Sequence, residues 1–126
     1  MPISIVHVGL PLDHLLIPVE ERPKIATRLA DLEQRMRAAG YGYEVVYASP
    51  ELGLAGFMDR LRRGACDGVL IGGGVASDPG LSYFMEQIID ATHQVAPHAK
   101  VMFYNHSVPV EQTVARWFPP EGRNEG

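Results

Sequence analysis

Short apolar runs alternate with helical stripes along this chain. Residues that are mostly β-branched or aromatic form four such runs, at Ile3–Val8, Tyr43–Ala48, Val69–Ile71 and Val101–Tyr104. Runs of this length and composition predict buried β-strands. Between them, apolar residues recur at the three- and four-residue spacing of amphipathic helices, so strands and helices alternate throughout.

Punctuating residues predict where the helices begin and end. Pro23 is expected to open the first helix and Gly40 to end it. The second helix is expected to begin at the Ser-Pro-Glu segment at 49–51, since a hydroxyl, a proline and an acid suit a first turn. The Ser-Asp-Pro segment at 77–79 is expected to open the third helix, and Pro109 a short last one.

This alternation predicts an α/β fold. Right-handed crossovers give a mainly parallel, four-stranded sheet with helices on both faces, which is a flavodoxin-like or Rossmann-like three-layer αβα sandwich. The expected strand order is 2-1-3-4. No repeat, low-complexity segment or linker divides the chain, so residues 1–118 are expected to form a single α/β domain and residues 119–126 a flexible C-terminal tail.

The predicted order leaves strand four at an edge of the sheet. Its apolar residues are a liability there unless something covers them. Trp117 and Phe118 follow on a helix that is too short to cover much. We therefore expect a homo-oligomer, most simply a homodimer that buries strand four or the last helix. The alternative is that Trp117 folds back onto the sheet.

Composition restricts the class of function. The 126 residues carry a formal net charge of −4, which argues against binding to nucleic acid or to an anionic membrane surface. No apolar run reaches the roughly 18 residues of a membrane span, and the start of the chain lacks the features of a signal peptide. Cys66 is the single cysteine, so no internal disulfide is expected, and a small buried filler is its expected role. These features favour a cytoplasmic protein.

The loop after strand three is the most informative stretch, because open α/β sheets bind ligands outside the carboxyl ends of their strands, near the switch between strands one and three. Gly72, Gly73 and Gly74 are expected to allow a sharp turn and the close approach of a ligand, with amides that could cradle a phosphate or carboxylate. The loop lacks the ending of a Walker motif and fits a dinucleotide fingerprint only in part. The alternative is a tight strand-to-helix turn capped by Ser77 or Asp78. The expected ligand-binding residues are those of this loop and two that follow strand four: Gly72, Gly73, Gly74, Ser77, Asp78, Asn105 and Ser107.

Histidines that follow the carboxyl ends of the strands, which together form one rim of the sheet, are candidates for catalysis. An imidazole ring can act as a general base near neutral pH. The candidates are His106, after strand four, and His14, after strand one. Asp13 or Asp78 could orient the ring, and a serine of the rim could complete a Ser–His–Asp arrangement. The sequence contains no nucleophile elbow and no metal-ligand spacing, so no metal is expected and no cofactor is implied; the alternative is that these residues are ordinary turn formers. His7, inside strand one, is expected to be a hydrogen-bonded core residue.

The order of elements from Asp67 to Tyr104 resembles a response-regulator receiver domain. Phosphorylation of a receiver requires an acidic pair after strand one, an aspartate that ends strand three and a lysine after strand five. Here the His-Val-Gly segment at 7–9 and Gly72 occupy the first two places, and no fifth strand is predicted. The resemblance therefore implies a flavodoxin-like fold without aspartyl-phosphate chemistry.

The second half of the chain is also similar to a group of small bacterial and fungal α/β proteins. The group has Asp-Gly-Val-x-Ile-Gly-Gly-Gly-Val, then Ala-Pro-x-Ala, a strand that closes in Phe-Asn, a proline and an Arg-Trp ending. This chain has Asp-Gly-Val-Leu-Ile-Gly-Gly-Gly-Val at 67–75, Ala-Pro-His-Ala at 96–99, Phe-Tyr-Asn at 103–105, Pro109 and Val-Ala-Arg-Trp at 114–117. The chain departs from that pattern at Ala76, where the group has an arginine, and at Asp90, where it has an asparagine. The resemblance implies the fold and draws attention to the loops at 72–75 and 105, but it implies no reaction.

Three functions remain open on these residues. The first is binding of a small molecule, which could be an anion, at the carboxyl-terminal rim of the sheet, with or without turnover. The second is a non-catalytic regulatory or protein-interaction module that is receiver-like but not phosphorylatable. Nucleic-acid binding is the third and is disfavoured, because no basic–aromatic stripe is present. We favour ligand binding, because three consecutive glycines exceed what a simple turn requires.

Overall fold

The computed structural model describes residues 2–104 and 106–119, so Asn105 and all but Pro119 of the predicted tail lie outside the described residues. One sheet contains four strands: β1 (Ser4–Gly9), β2 (Gly42–Tyr47), β3 (Gly68–Ile71) and β4 (Lys100–Phe103). Every neighbouring pair is parallel, and the order is β2-β1-β3-β4. The predicted sheet and its strand order are therefore confirmed.

Helices connect the consecutive strands, as the alternating pattern predicts, and a last helix follows β4. They are α1 (Arg22–Ala38), α2 (Ala55–Arg62), α3 (Gly73–Ala76), α4 (Ser82–Val95) and α5 (Val110–Ala115). Short 3-10 turns precede α1 at Val19–Glu21 and α4 at Pro79–Leu81. Among the described residues, none of these helices has both the length and the apolar character needed to cross a membrane.

Helices cover both faces of the sheet, because successive strand residues point to opposite faces. On one face, Val6 of β1 belongs to a buried cluster with Phe57 of α2 and Ile88 of α4. On the other face, Ile5 of β1 shares a buried cluster with Met36 of α1. Val114 of α5 and Leu70 of β3 join that second cluster, as do several other apolar side chains. Removing each such side chain from water contributes roughly 1.5–3 kcal/mol, and the result is the predicted three-layer sandwich.

The start of α2 differs from the prediction. Residues 49–53 form a turn in which the Ser49 hydroxyl oxygen accepts a hydrogen bond from the Leu52 amide at 2.9 Å. Gly53 adopts a left-handed φ of 85°, and α2 begins only at Ala55. The Ser-Pro-Glu signal was thus correct for a capped turn and wrong for a helix start, because a serine can satisfy the amide of a turn as well as that of a helix.

The glycine loop after β3 also differs from the prediction. Gly72 has extended dihedral angles, with φ −64° and ψ 158°, and Gly73 and Gly74 begin the short helix α3. The chain does turn sharply from β3 into α3, but none of the three glycines has a positive φ. The turn needs no glycine for its dihedral angles, and another reason for these residues is required.

Strand β4 lies at the edge of the sheet, as predicted. Met102 is buried, whereas Phe103 remains 45% exposed. Trp117 is 52% exposed, and the Lys100 ammonium nitrogen lies 5.2 Å from the centroid of its ring. Its neighbour Phe118 makes the inward contact, since a Cβ atom on Gly68 would lie 3.0 Å from the Phe118 ring. Phe118, rather than Trp117, therefore folds back onto the sheet.

Candidate functional site

The carboxyl ends of the strands form one rim of the sheet, where the loops after β1, β2, β3 and β4 meet. The chain leaves β1 toward α1 on one face and leaves β3 toward α4 on the other. The crossovers therefore diverge between β1 and β3, which is the position where open parallel sheets leave room for a ligand. Gly9, Gly72 and Gly73 lie at this switch point.

His7 reaches the switch point from within β1. Its side chain shares a face with Ile5, two residues earlier, and the residue as a whole is 6% exposed. Its Nδ1 atom lies 2.5 Å from the Tyr43 hydroxyl oxygen on β2. A Cβ atom on Gly72 would lie 2.7 Å from the His7 Nε2 atom, so Gly72 leaves the space that this ring occupies. The structure confirms that His7 is a hydrogen-bonded residue of the core.

His106 reaches the same loop from beyond β4. A Cβ atom on Gly73 would lie 2.0 Å from the His106 Nε2 atom, far inside van der Waals contact. The ring also meets Tyr104 edge-on, with 4.5 Å between the centroids. His106 has a φ of 67°, a left-handed conformation that costs a non-glycine residue roughly 1–2 kcal/mol. The exposed imidazole is thus placed over Gly73.

Steric packing therefore explains why two of the three positions are glycine. Gly72 makes room for His7 and Gly73 makes room for His106, whereas a Cβ atom on Gly74 would meet only Leu10 at 3.9 Å, an ordinary contact. Because consecutive Cα atoms are about 3.8 Å apart, the two imidazoles contact neighbouring positions of one loop. The loop lies at the predicted rim, and the packing of the two rings gives Gly72 and Gly73 a reason that the sequence did not reveal.

His14 lies on the other half of the rim and is fully engaged. Its Nε2 atom lies 2.8 Å from a carboxylate oxygen of Glu51, and its Nδ1 atom accepts a hydrogen bond from the Leu16 amide at 3.1 Å. Since Nδ1 accepts, Nε2 carries the proton and donates it to Glu51. This hydrogen bond holds the pKa of the Glu51 carboxyl below its usual range. Neither ring nitrogen of His14 has a lone pair left for general-base catalysis in this arrangement.

The aspartates proposed as orienting groups have other contacts. It is the main-chain carbonyl of Asp13 that binds Arg22, through Nη2 at 3.3 Å. The Asp78 carboxylate accepts a hydrogen bond from the Gly80 amide at 2.8 Å, which caps the turn before α4. Among the described residues, neither aspartate hydrogen-bonds to a histidine. The cap interpretation of Asp78 is confirmed, and no Ser–His–Asp arrangement is assembled within these residues.

Glu51 is the rim side chain whose contact sequence reasoning missed. It was interpreted as a dipole-matching acid at a helix start, yet it lies in the turn before α2 and pairs with His14. A signal was present, because β2 neighbours β1 in the predicted order and their loops must therefore adjoin. Applying the same logic to β3 and β4 would also have paired Gly73 with His106.

The remaining rim residues offer weaker groups. Ser77 and Ser107 are exposed, and Asn105 is not among the described residues. Helix α3 has four residues, so its dipole adds little to the anion-binding capacity of the loop amides. Within 2–104 and 106–119, no three histidine, cysteine or acidic side chains come together to hold a metal ion.

Two shallow depressions lie away from the rim. One, of about 330 Å³, is at the amino edge of the sheet and borders Cys66 and His98. The other, of about 490 Å³, lies along α1 beside Asp31 and Arg37. Cys66 is buried, donates its thiol hydrogen to the Gly68 carbonyl and has a pKa raised by burial, so its expected role as an inert filler fits this environment. Comparison with models of protein families, with curated proteins and with solved structures finds no match to this chain.

Proposed function

We propose that this protein binds a small molecule at the carboxyl rim of its sheet, at the switch point between β1 and β3. The observation that supports the proposal is the convergence of two imidazoles, those of His7 and His106, on the adjacent glycines Gly72 and Gly73. Ligand sites combine backbone that can be approached closely with a few polar groups that converge. The loop from Gly72 to Asp78, together with Ser107, would border the ligand.

The proposal is one of binding rather than turnover. His106 has no carboxylate partner among the described residues, and both ring nitrogens of His14 are occupied. General acid–base catalysis by histidine ordinarily relies on a second group that orients the ring. His106 therefore remains the rim's candidate acid or base, and Asp13 and His14 have no role in the proposal.

A thermal-shift screen tests the proposed site. The panel consists of nucleotides, sugar phosphates, organic acids, acyl-CoA and divalent metals. A ligand at about 100 times its dissociation constant adds roughly 2.7 kcal/mol of stability, which raises the melting temperature of a domain this size by several degrees. We expect the shift to be lost in His106→Gly, because the variant removes the ring and glycine suits the left-handed backbone.

His98→Ala is the matched control for that screen. It removes an exposed histidine at the opposite edge of the sheet and should leave the ligand-induced shift unchanged. A panel that produces no shift in the wild-type protein would contradict ligand binding of these classes. An equal shift in His106→Gly and wild type would place the ligand elsewhere.

A second proposal concerns self-association through β4. The half-exposed aromatic side chains of Phe103 and Trp117 lie beside an unpaired strand edge, and such edges are usually covered or charged. We propose a homodimer that buries this edge, which a concentration series of sedimentation velocity would detect. Phe103→Lys should dissociate it, whereas Tyr83→Lys, at an exposed position on α4, should not. A monomer at high micromolar concentration would refute the homodimer. It would also refute a protein-interaction role that depends on self-association.

The proposed setting of the protein is the cytoplasm, without nucleic acid as a partner. The net charge of −4 supports the second point, as do the carboxylate pairs made by Arg35, Arg60 and Arg62. The lone, buried Cys66 thiol supports a reducing compartment.

A further inference from the structure

His7 is an unusual residue for the interior of a parallel sheet. It lies in the middle of β1 on the face that carries Ile5, and its neighbours across the sheet, Val45 and Leu70, are apolar. Burying an imidazole in such surroundings costs free energy unless its nitrogens have hydrogen-bond partners. Only its Nδ1 atom has one among the described residues, which is the Tyr43 hydroxyl.

The direction of this hydrogen bond follows from the surroundings of Tyr43. The residue is 3% exposed, and its hydroxyl has no other partner among the described residues. Burial, with the nearby Glu111 charge, raises the pKa of the Tyr43 phenol, so the hydroxyl keeps its proton. A buried O–H without an acceptor would cost roughly 1–3 kcal/mol. The Tyr43 hydroxyl therefore donates to Nδ1 of His7.

The other nitrogen of His7 consequently carries the ring's proton. Burial lowers the pKa of His7 to about 4, so the ring is neutral at physiological pH and has one N–H group. That group is at Nε2, which lies 2.7 Å from the Cβ position of Gly72 and 3.9 Å from that of Gly9. Both glycines lie where β1 and β3 end, and Nε2 has no hydrogen-bond partner among the described residues.

We infer that His7 is a ligand-binding residue, which donates its Nε2–H to a carbonyl or carboxylate oxygen of the molecule bound at the switch point, and that Tyr43 is its positioning residue. This inference rests on the proposed function and specifies the ligand's chemistry. A neutral N–H donor recognises an oxygen acceptor and does not require the ligand to be charged. The ring itself fills the space at Gly72. At the Cβ position of Gly9, leaving its chain neighbours aside, His7 Nε2 is the one described atom within 4 Å, so an acceptor can approach the ring from that side.

Nitrogen-15 NMR of the histidine rings tests the inference. Two-bond N–H correlations at pH 7 distinguish the two neutral tautomers, and the His7 signals are assigned by their absence in His7→Gln. We expect the Nε2–H form in the wild-type protein. Tyr43→Phe removes the donor to Nδ1 and should give a mixture of tautomers, a result that a merely structural role of Tyr43 would not produce.

The ligand class is tested by titration of the same sample. The probes are acetate, acetamide and, as a cation without an acceptor, methylammonium. We expect acetate or acetamide to shift the His7 Nε2 signal saturably, and methylammonium not to. The affinity for the effective probe should fall about tenfold in Tyr43→Phe, the change expected for one hydrogen bond. Acetate alone indicates a carboxylate ligand, whereas acetamide alone indicates a neutral carbonyl.

Two outcomes would overturn the inference. The first is an Nδ1–H tautomer in the wild-type protein, and the second is an Nε2–H tautomer that responds to neither acetate nor acetamide. If a ligand from the thermal panel still loses its shift in His106→Gly, the proposed site survives and only the role of His7 is lost. If the panel and both probes give no response, the site and the inference fail together.

Discussion

The two halves of the carboxyl rim use histidine in opposite ways. On the β1–β2 half, both ring nitrogens of His14 are engaged, one by Glu51 and the other by the Leu16 amide. On the β1–β3–β4 half, His7 has one engaged nitrogen, and His106 contacts the loop with its ring.

The difference teaches that a polar side chain on the rim need not be available for chemistry. The His14–Glu51 pair joins two loops and satisfies both partners, so it is a structural contact. His7 is the more deeply buried residue, yet its Nε2 atom is directed toward the place where the crossovers diverge. The two histidines therefore differ in whether a ring nitrogen lacks a hydrogen-bond partner, and exposure of the side chain does not reveal that difference.

The largest effect that we expect from the difference between the two halves is a pH dependence of the free energy of unfolding due to His7. Its pKa of about 4 in the folded chain is below its usual value of 6.5, so its stabilising contribution is complete above pH 6.5 and declines as the pH falls toward 4. The difference in free energy of unfolding between wild type and His7→Gln should therefore shrink by about 3 kcal/mol between pH 7 and pH 4. Urea denaturation at a series of pH values measures it.

The control for this series is His98→Gln, which changes an exposed histidine. Its difference from wild type should remain constant over the same range. A His7→Gln difference that also remained constant would mean that the imidazole is protonated in the folded chain with no penalty.

The second effect concerns the room that the glycines leave for the rings. Gly72→Ala would place a methyl group 2.7 Å from His7 Nε2 and 3.3 Å from the Val8 carbonyl oxygen, and should destabilise the fold by about 1–3 kcal/mol. Gly74→Ala is its matched control in the same loop and should be neutral or stabilising by up to about 1 kcal/mol, because alanine favours a helix. Equal urea midpoints for the two variants would refute the steric explanation.

The smallest effect is expected for the β1–β2 half of the rim, where His14 pairs with Glu51. Glu51→Gln should leave the melting temperature nearly unchanged, because the pair is at the surface and exposed pairs contribute little. Its consequence should be local, with faster hydrogen exchange at the Leu16 amide that donates to His14. Asp59→Asn, which breaks a pair on α2, should not alter that exchange. A loss of global stability in Glu51→Gln comparable to that in Gly72→Ala would reverse the comparison.

Residue spacing alone determined the larger features of this protein. Short apolar runs and helical spacing predicted the four strands and the helices between them, because those patterns record which residues of each element are buried. The general arrangement of open α/β sheets then predicted the strand order. They also placed His7 in the core and the glycine loop at the rim. Local signals were less reliable at 49–55, where a capped turn stands in place of the predicted helix start, and at 72–76, where a short helix stands in place of the predicted loop.

Only the tertiary structure decided the partners. Glu51 is 37 residues from His14 along the chain, and Tyr43 is 36 from His7. Nothing in the local pattern around either histidine specifies such a distant partner, because the choice depends on which strand ends the fold brings side by side. The same applies to Gly72 and Gly73, whose missing side chains have a purpose only when two rings from other strands occupy the space. Sequence periodicity therefore determined where the rim and its glycine loop lie, and long-range packing decided which histidine nitrogens on the rim have a partner.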